Sequence, residues 1–185
     1  MRKGLCFVLA LLGILSLTGC VGASSGRHGG KAGSEKIVFP SSLERVEGIQ
    51  DEHADLSSPV PRLVVYVDST ECSNCRINHL GNYSEYASLS ALYPGFKVFA
   101  IIWPNSETAE TVTGNIAHRN FPFDVFIDWD GSFLEANPSL PKTGRDSHVF
   151  LLGTDSKAVV SGDPISSKGK DRMLRNALYS IYNDK

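Results

Sequence analysis

The stretch that most constrains the fold of this chain runs from Leu63 to Leu80, LVVYVDSTECSNCRINHL. Leu63, Val64, Val65, Tyr66 and Val67 are uncharged and mostly β-branched, the composition of a short strand buried on both faces of a sheet. Asp68, Ser69, Thr70 and Glu71 interrupt the run, and Cys72-Ser73-Asn74-Cys75 then opens a segment that reads as helix. A strand, a turn and Cys-x-x-Cys at a helix start make a geometry suited to redox chemistry. Unpaired N–H groups at a helix N-terminus, with the positive end of its dipole, favour a thiolate over a thiol. Cys72 is the expected nucleophile, and Cys75, one turn further in, the residue that resolves its mixed disulfide. The Glu71 carboxylate disfavours a second negative charge beside it, while Arg76 opposes that effect. Ser73 and Asn74, between the sulfurs, are expected to influence the potential through hydrogen bonds and local strain. A bound metal and an inert structural disulfide are the other uses of such a pair.

Met1, Arg2 and Lys3 give a positive start, and Leu5 to Leu17 is an apolar run of signal-peptide length, too short to span comfortably as a mature helix. It ends in Leu17-Thr18-Gly19-Cys20, which resembles the lipobox of bacterial lipoproteins. The resemblance implies that residues 1–19 are a signal peptide and that Cys20 becomes the lipidated N-terminus. The body would then be lipid-anchored in the bacterial cell envelope, with its domain in the periplasm. Cys6 leaves with the peptide, so Cys72 and Cys75 have no competing disulfide partner. In an oxidising compartment such a pair cycles only if another protein supplies or removes electrons, which implies a donor or acceptor protein beside the thiol or disulfide substrate.

Residues 20–36 read as the lipidated end and a tether, Gly- and Ser-rich from Val21 to Ser34. Loss of Arg2 and Lys3 moves the net charge from −2 to −4, and the absence of a basic cluster argues against nucleic acid. Residues 37–185, about 150 in number, suit one domain with one core. Ile37–Phe39 is a candidate first strand. Asn74–Leu92 reads as a helix weakened at Gly81-Asn82, Phe96–Trp103 as a second buried strand, and Asn105–Arg119 as a helix capped by Asn105 or Ser106. Phe123–Asp128 is a short strand before an Asp130-Gly131 turn. His148–Leu152 and Lys157–Ser161 make a hairpin, and Lys168–Asn183 a closing helix with Met173, Leu174, Ala177, Leu178 and Ile181 on one face. Alternating strands and helices imply an α/β fold with a partly parallel sheet covered on both faces.

This order, with Cys72 and Cys75 after the central strand, resembles the thioredoxin fold, and more narrowly the membrane-anchored thioredoxin-like reductases of the bacterial envelope. The likeness covers roughly Ile37 to Tyr182, including a Phe121–Gly131 insert similar to the extra strand and turn of those proteins. It implies a mixed central sheet, thiol–disulfide exchange on proteins, and no organic cofactor. That family docks substrate backbone beside a proline just before the late strand; the matching place here is Ser147-His148. An aromatic residue often precedes the first cysteine, where this chain has Glu71. Some members bury a proton-accepting acid where Tyr66 stands; Asp68 reads instead as a loop carboxylate.

Other chemistries fit less well. Arg76 stands where haem attachment requires histidine. Peroxiredoxin-type chemistry matches Ser69 but not Val65. Cys72, Cys75 and His148 form the one candidate metal set, suited to Cu(I), so a copper chaperone or a non-enzymatic binding module is the alternative function. His79 lies four residues after Cys75, on its helical face, with an ordinary surface residue as the blander reading; His28, His53 and His118 carry no evident role, and Asp124, Asp128 and Asp130 lack calcium-loop spacing and read as turn and strand-end residues.

Overall fold

The computed structural model describes residues 35–46, 55–142, 144 and 148–183. Cys20 and the rest of residues 1–34, His53 and Ser147 lie outside the described residues.

The strands are β1 (Glu44–Arg45), β2 (Arg62–Val67), β3 (Lys97–Ile102), β4 (Asp124–Ile127), β5 (Val149–Leu152) and β6 (Ala158–Ser161), in the sheet order β1-β4-β3-β2-β5-β6. β2, β3 and β4 run parallel, while β1, β5 and β6 join antiparallel. β2 lies inside the sheet, with Val64 opposite Phe99 on one side and Phe150 on the other. Every β2 residue is buried, which is why its sequence shows a continuous apolar run rather than alternation.

Alternation does decide which residues share a face. Leu63, Val65 and Val67 join Val98, Ala100, Ile102, Val125 and Ile127 under Ile77 and Leu80 of α1 (Ser73–Leu80), Tyr86 of α2 (Ser84–Ala87), Ile116 of α3 (Val112–Ala117) and Leu174 and Leu178 of α5 (Lys168–Asn183). Val64 and Tyr66 join Phe99, Ile101, Phe126 and Phe150 under Phe133 of α4 (Ser132–Ala136) and the segment around Ile37. Each such side chain contributes about 1.5–3 kcal/mol by leaving water. Helices cover both faces, one heavily and the other thinly. Among the described residues no helix is long and apolar enough to cross a membrane.

Four local expectations are corrected. Ile37–Phe39 is not a strand: the Asn137 side chain takes both backbone groups of Val38, accepting from its N–H and donating to its carbonyl, each at 2.8 Å. Among the described residues a single Lys36–Lys157 bridge, with the Ile37 N–H donating to the Ser156 carbonyl at 2.9 Å, joins this segment to the sheet edge. The 74–92 helix breaks after Leu80 into 3-10 turns on either side of α2, at the Gly81-Asn82 step, where glycine lowers helix propensity. The 105–119 helix is only Val112–Ala117. Asn105 Oδ1 instead accepts from the Thr108 N–H at 3.1 Å and hydroxyl at 2.7 Å, closing a turn. In α5, which has its expected bounds, Met173 is exposed rather than packed.

Candidate functional site

The parallel strands end together, so the residues that follow them gather along one sheet edge, where open α/β sheets carry their sites. Asp68 follows β2, Trp103 follows β3 and Asp128 follows β4, while His148 precedes the antiparallel β5 at the same edge. Cys72 is the N-cap of α1, with extended backbone angles, and its sulfur accepts from the Cys75 N–H at 3.3 Å. Cys72 and Cys75 are joined in a disulfide, with Cα atoms 5.3 Å apart. Both are exposed, so what distinguishes them is position in the helix terminus rather than burial.

The intervening residues anchor the pair. The buried Ser73 hydroxyl accepts from the Asn105 N–H at 3.2 Å, and Asn74 Oδ1 accepts from Asn115 Nδ2 at 2.9 Å. Both bonds tie α1 to the region after β3. Glu71 and Arg76 are ion-paired across the dithiol, Glu71 Oε2 lying 3.1 Å from Arg76 Nε, with only 6% of the arginine side chain exposed. Their opposed effects on Cys72, expected from separate charges, belong to a neutralised pair.

Two expectations fail here. Asp68 is not a loop carboxylate in water but is 1% exposed. Its Oδ1 accepts from the Thr70 N–H at 2.8 Å and from the Thr70 hydroxyl, and its Oδ2 faces His148 Nδ1 at 3.3 Å. His148 is fully buried and donates from Nε2 to the Pro141 carbonyl at 2.7 Å. With its ring nitrogens turned to Asp68 and Pro141, His148 does not offer its side chain to the sulfurs. The Cys72, Cys75 and His148 metal set is therefore not assembled. Among the described residues the metal-compatible group is Asp68, Glu71 and His148.

The polar cluster continues inward. The Tyr66 ring meets His148 edge-on at 5.2 Å between centroids. Burial, reinforced by the negative charges of Asp128 and Asp68, pushes the Tyr66 hydroxyl well above the usual phenol range. Burial likewise raises Asp128, although its carboxylate accepts from the Ser132 hydroxyl at 2.9 Å and the Phe133 N–H at 3.1 Å. Asp124 pairs with Arg45 at 2.7 Å, and Asp130 accepts from the Ser132 N–H at 3.1 Å, so these are the structural carboxylates their positions suggested. His79 and His118 are exposed. The pairing of Asp68 with His148 had no local signal, since the two are distant in sequence; its only trace was an acid directly after a fully buried strand.

No family model matches the chain, and no curated protein matches it in sequence. Solved structures do. An uncharacterised conserved protein from Geobacillus kaustophilus superposes with a TM-score of 0.54 at 15% identity, over 82% of each chain. A candidate thioredoxin from Neisseria meningitidis gives 0.51 at 17%, over 70% of this chain and 81% of that one. Peroxiredoxin Q of Xanthomonas campestris gives 0.52 at 12%, over 82% and 97%. The chain has a thioredoxin-like fold. In that thioredoxin-like frame the Cys72–Cys75 pair follows the inner strand β2, at the start of the helix after it.

Proposed function

We propose that this chain is a thiol–disulfide oxidoreductase acting on protein disulfides, held to a membrane of the bacterial cell envelope by lipid on Cys20 with its domain in the periplasm. The observation that carries the reading is an exposed Cys72–Cys75 disulfide at the N-cap of α1. In the reduced form, the Cys72 thiolate attacks one sulfur of a substrate disulfide and expels the other as a thiolate. Cys75, after losing its proton, attacks Cys72 in the mixed disulfide and releases the second substrate thiolate. The substrate gains two electrons and the pair returns to a disulfide, to be reduced again by a donor protein. The exposed sulfurs give access, and the bonds of Ser73 and Asn74 hold the pair in place.

The test is mixed-disulfide trapping with insulin as the probe disulfide. The reduced parent should reduce insulin catalytically with dithiothreitol present. Cys75→Ala should accumulate a covalent Cys72–insulin adduct that reductant releases, and Cys72→Ala should accumulate none. The reading fails if both single variants trap insulin equally, or if the parent accelerates reduction no more than the variant lacking both cysteines.

A further inference from the structure

At the end of β2 away from the dithiol lies a buried charge that the exchange steps do not use. Arg62, the first residue of the strand, is fully buried, and no carboxylate among the described residues pairs with it. Its Nη1 donates to the Leu56 carbonyl and its Nη2 to the Ser156 hydroxyl oxygen at 2.6 Å, and the guanidinium lies 5.0 Å over the Phe39 ring. Nε has no acceptor among the described residues. Asp55 acts on it only from a distance, its exposed carboxylate already accepting from Ser57 and Ser58. A guanidinium taken out of water is costly unless an anion compensates it.

The three residues that touch the guanidinium, Phe39, Leu56 and Ser156, also line a cavity of about 570 Å3, within the size range of small-molecule sites. Ile37, Leu43 and Phe126 extend its apolar wall. The exposed Lys36 and Asp55 line it as well, so with Arg62 behind the wall the balance of charge is positive. Ser156 connects the two. Its oxygen accepts from Arg62, which leaves its hydroxyl hydrogen for another acceptor, and no described residue takes it. This serine also holds φ +63°, in the left-handed region that glycine and asparagine enter more cheaply, so the hydroxyl is kept there at a backbone cost.

We propose that this cavity binds a small amphipathic carboxylate, with its apolar part against Phe39, Leu56 and Phe126 and its carboxylate accepting the Ser156 O–H. The Arg62 guanidinium, bonded to the same hydroxyl, is the counter-ion. A hydroxyl polarised by a cation on one side and an anion on the other makes stronger bonds than a neutral pair does. One hydroxyl backed by one guanidinium suits a singly charged head and offers few donors to a phosphate dianion.

Decanoate is the probe, titrated by calorimetry below its micellar concentration into the full chain with Cys72 and Cys75 oxidised, so the result does not depend on the exchange reading. The parent should bind one decanoate per chain and raise its melting temperature in doing so. Decyltrimethylammonium, a tail of equal length with the opposite charge, should bind at least tenfold more weakly. Arg62→Met should weaken decanoate at least tenfold and bring the two probes together. Ser156→Gly, which eases the backbone, and Val38→Glu, which puts a carboxylate on an exposed lining residue, should each weaken decanoate at least fivefold. These two keep the test decisive should Arg62→Met misfold. The proposal is overturned if the parent takes up no stoichiometric decanoate at millimolar concentration, or if the cationic probe binds as tightly. It is equally overturned if folded Ser156→Gly or folded Val38→Glu binds decanoate as the parent does.

Discussion

Gly131→Ala isolates a single contact at the sheet edge. Gly131 has φ +76°, and a Cβ built there falls 2.7 Å from Trp103 Cη2 and 2.8 Å from Cζ2. Two costs follow. An alanine held in the left-handed region costs about 1 kcal/mol relative to glycine. The Cβ also intrudes on a rigid indole well inside the normal carbon–carbon contact of about 3.5–4.0 Å. The Trp103 backbone is held by its N–H bond to the Val67 carbonyl at 2.8 Å, so the overlap is relieved only by turning the indole off its native rotamer. Overpacking of this kind typically costs about 1–3 kcal/mol. The total, about 2–4 kcal/mol, corresponds to a fall in melting temperature of roughly 4–16 °C at about 2–4 °C per kcal/mol. Calorimetry or urea melts of the oxidised protein measure it, and a double-mutant cycle separates the terms. In a Trp103→Leu background the steric part should largely vanish, leaving about 1 kcal/mol. A Gly131→Ala protein that melts with the parent, or one that loses as much stability without the indole as with it, would refute the reasoning.

Cys20→Ser should abolish lipid labelling and leave the protein soluble or unprocessed; equal fractionation of parent and variant, with no lipid on the parent, counts against the anchor. Asp128→Asn should change how stability depends on pH. With its folded value raised by burial above the ordinary 3.8, the native carboxyl keeps its proton longer than the unfolded one. Its contribution is therefore present in full below 3.8 and lost as pH rises through the raised value. The stability difference should shift in favour of the neutral asparagine over that window, and a pH-independent difference between the two melts would exclude the effect.

How much of this was legible depended on whether a feature is local. β2 and β3 stood out because strands inside a parallel sheet are apolar on both faces, and α5 because its apolar residues recur at helical spacing. The place of Cys72 at the start of a helix followed from the strand–turn–helix pattern alone, and the structure makes it the N-cap. Ile37–Phe39 misled because its apolar pattern was genuine while its backbone partner was a side chain from far along the chain, Asn137. The Asp68–His148 contact was hidden for a related reason: antiparallel β5 brings a residue from late in the chain to the end of β2, and no local pattern records that register. Glu71 and Arg76 were both legible as charges, but their pairing, which cancels most of their separate influence on Cys72, depends on side-chain burial.

The shortness of the outer strands has a consequence for life at a surface. A sheet edge is a template on which another chain can add a strand, and the hazard grows with the length of edge left open. Here one edge is the two-residue β1 and the other the four-residue β6, with the lysine pair Lys36 and Lys157 bridged beside the latter. If Cys20 carries the proposed lipid, copies tethered to one membrane meet at high local concentration. Short, charge-flanked edges let them crowd together without templating one another into aggregates.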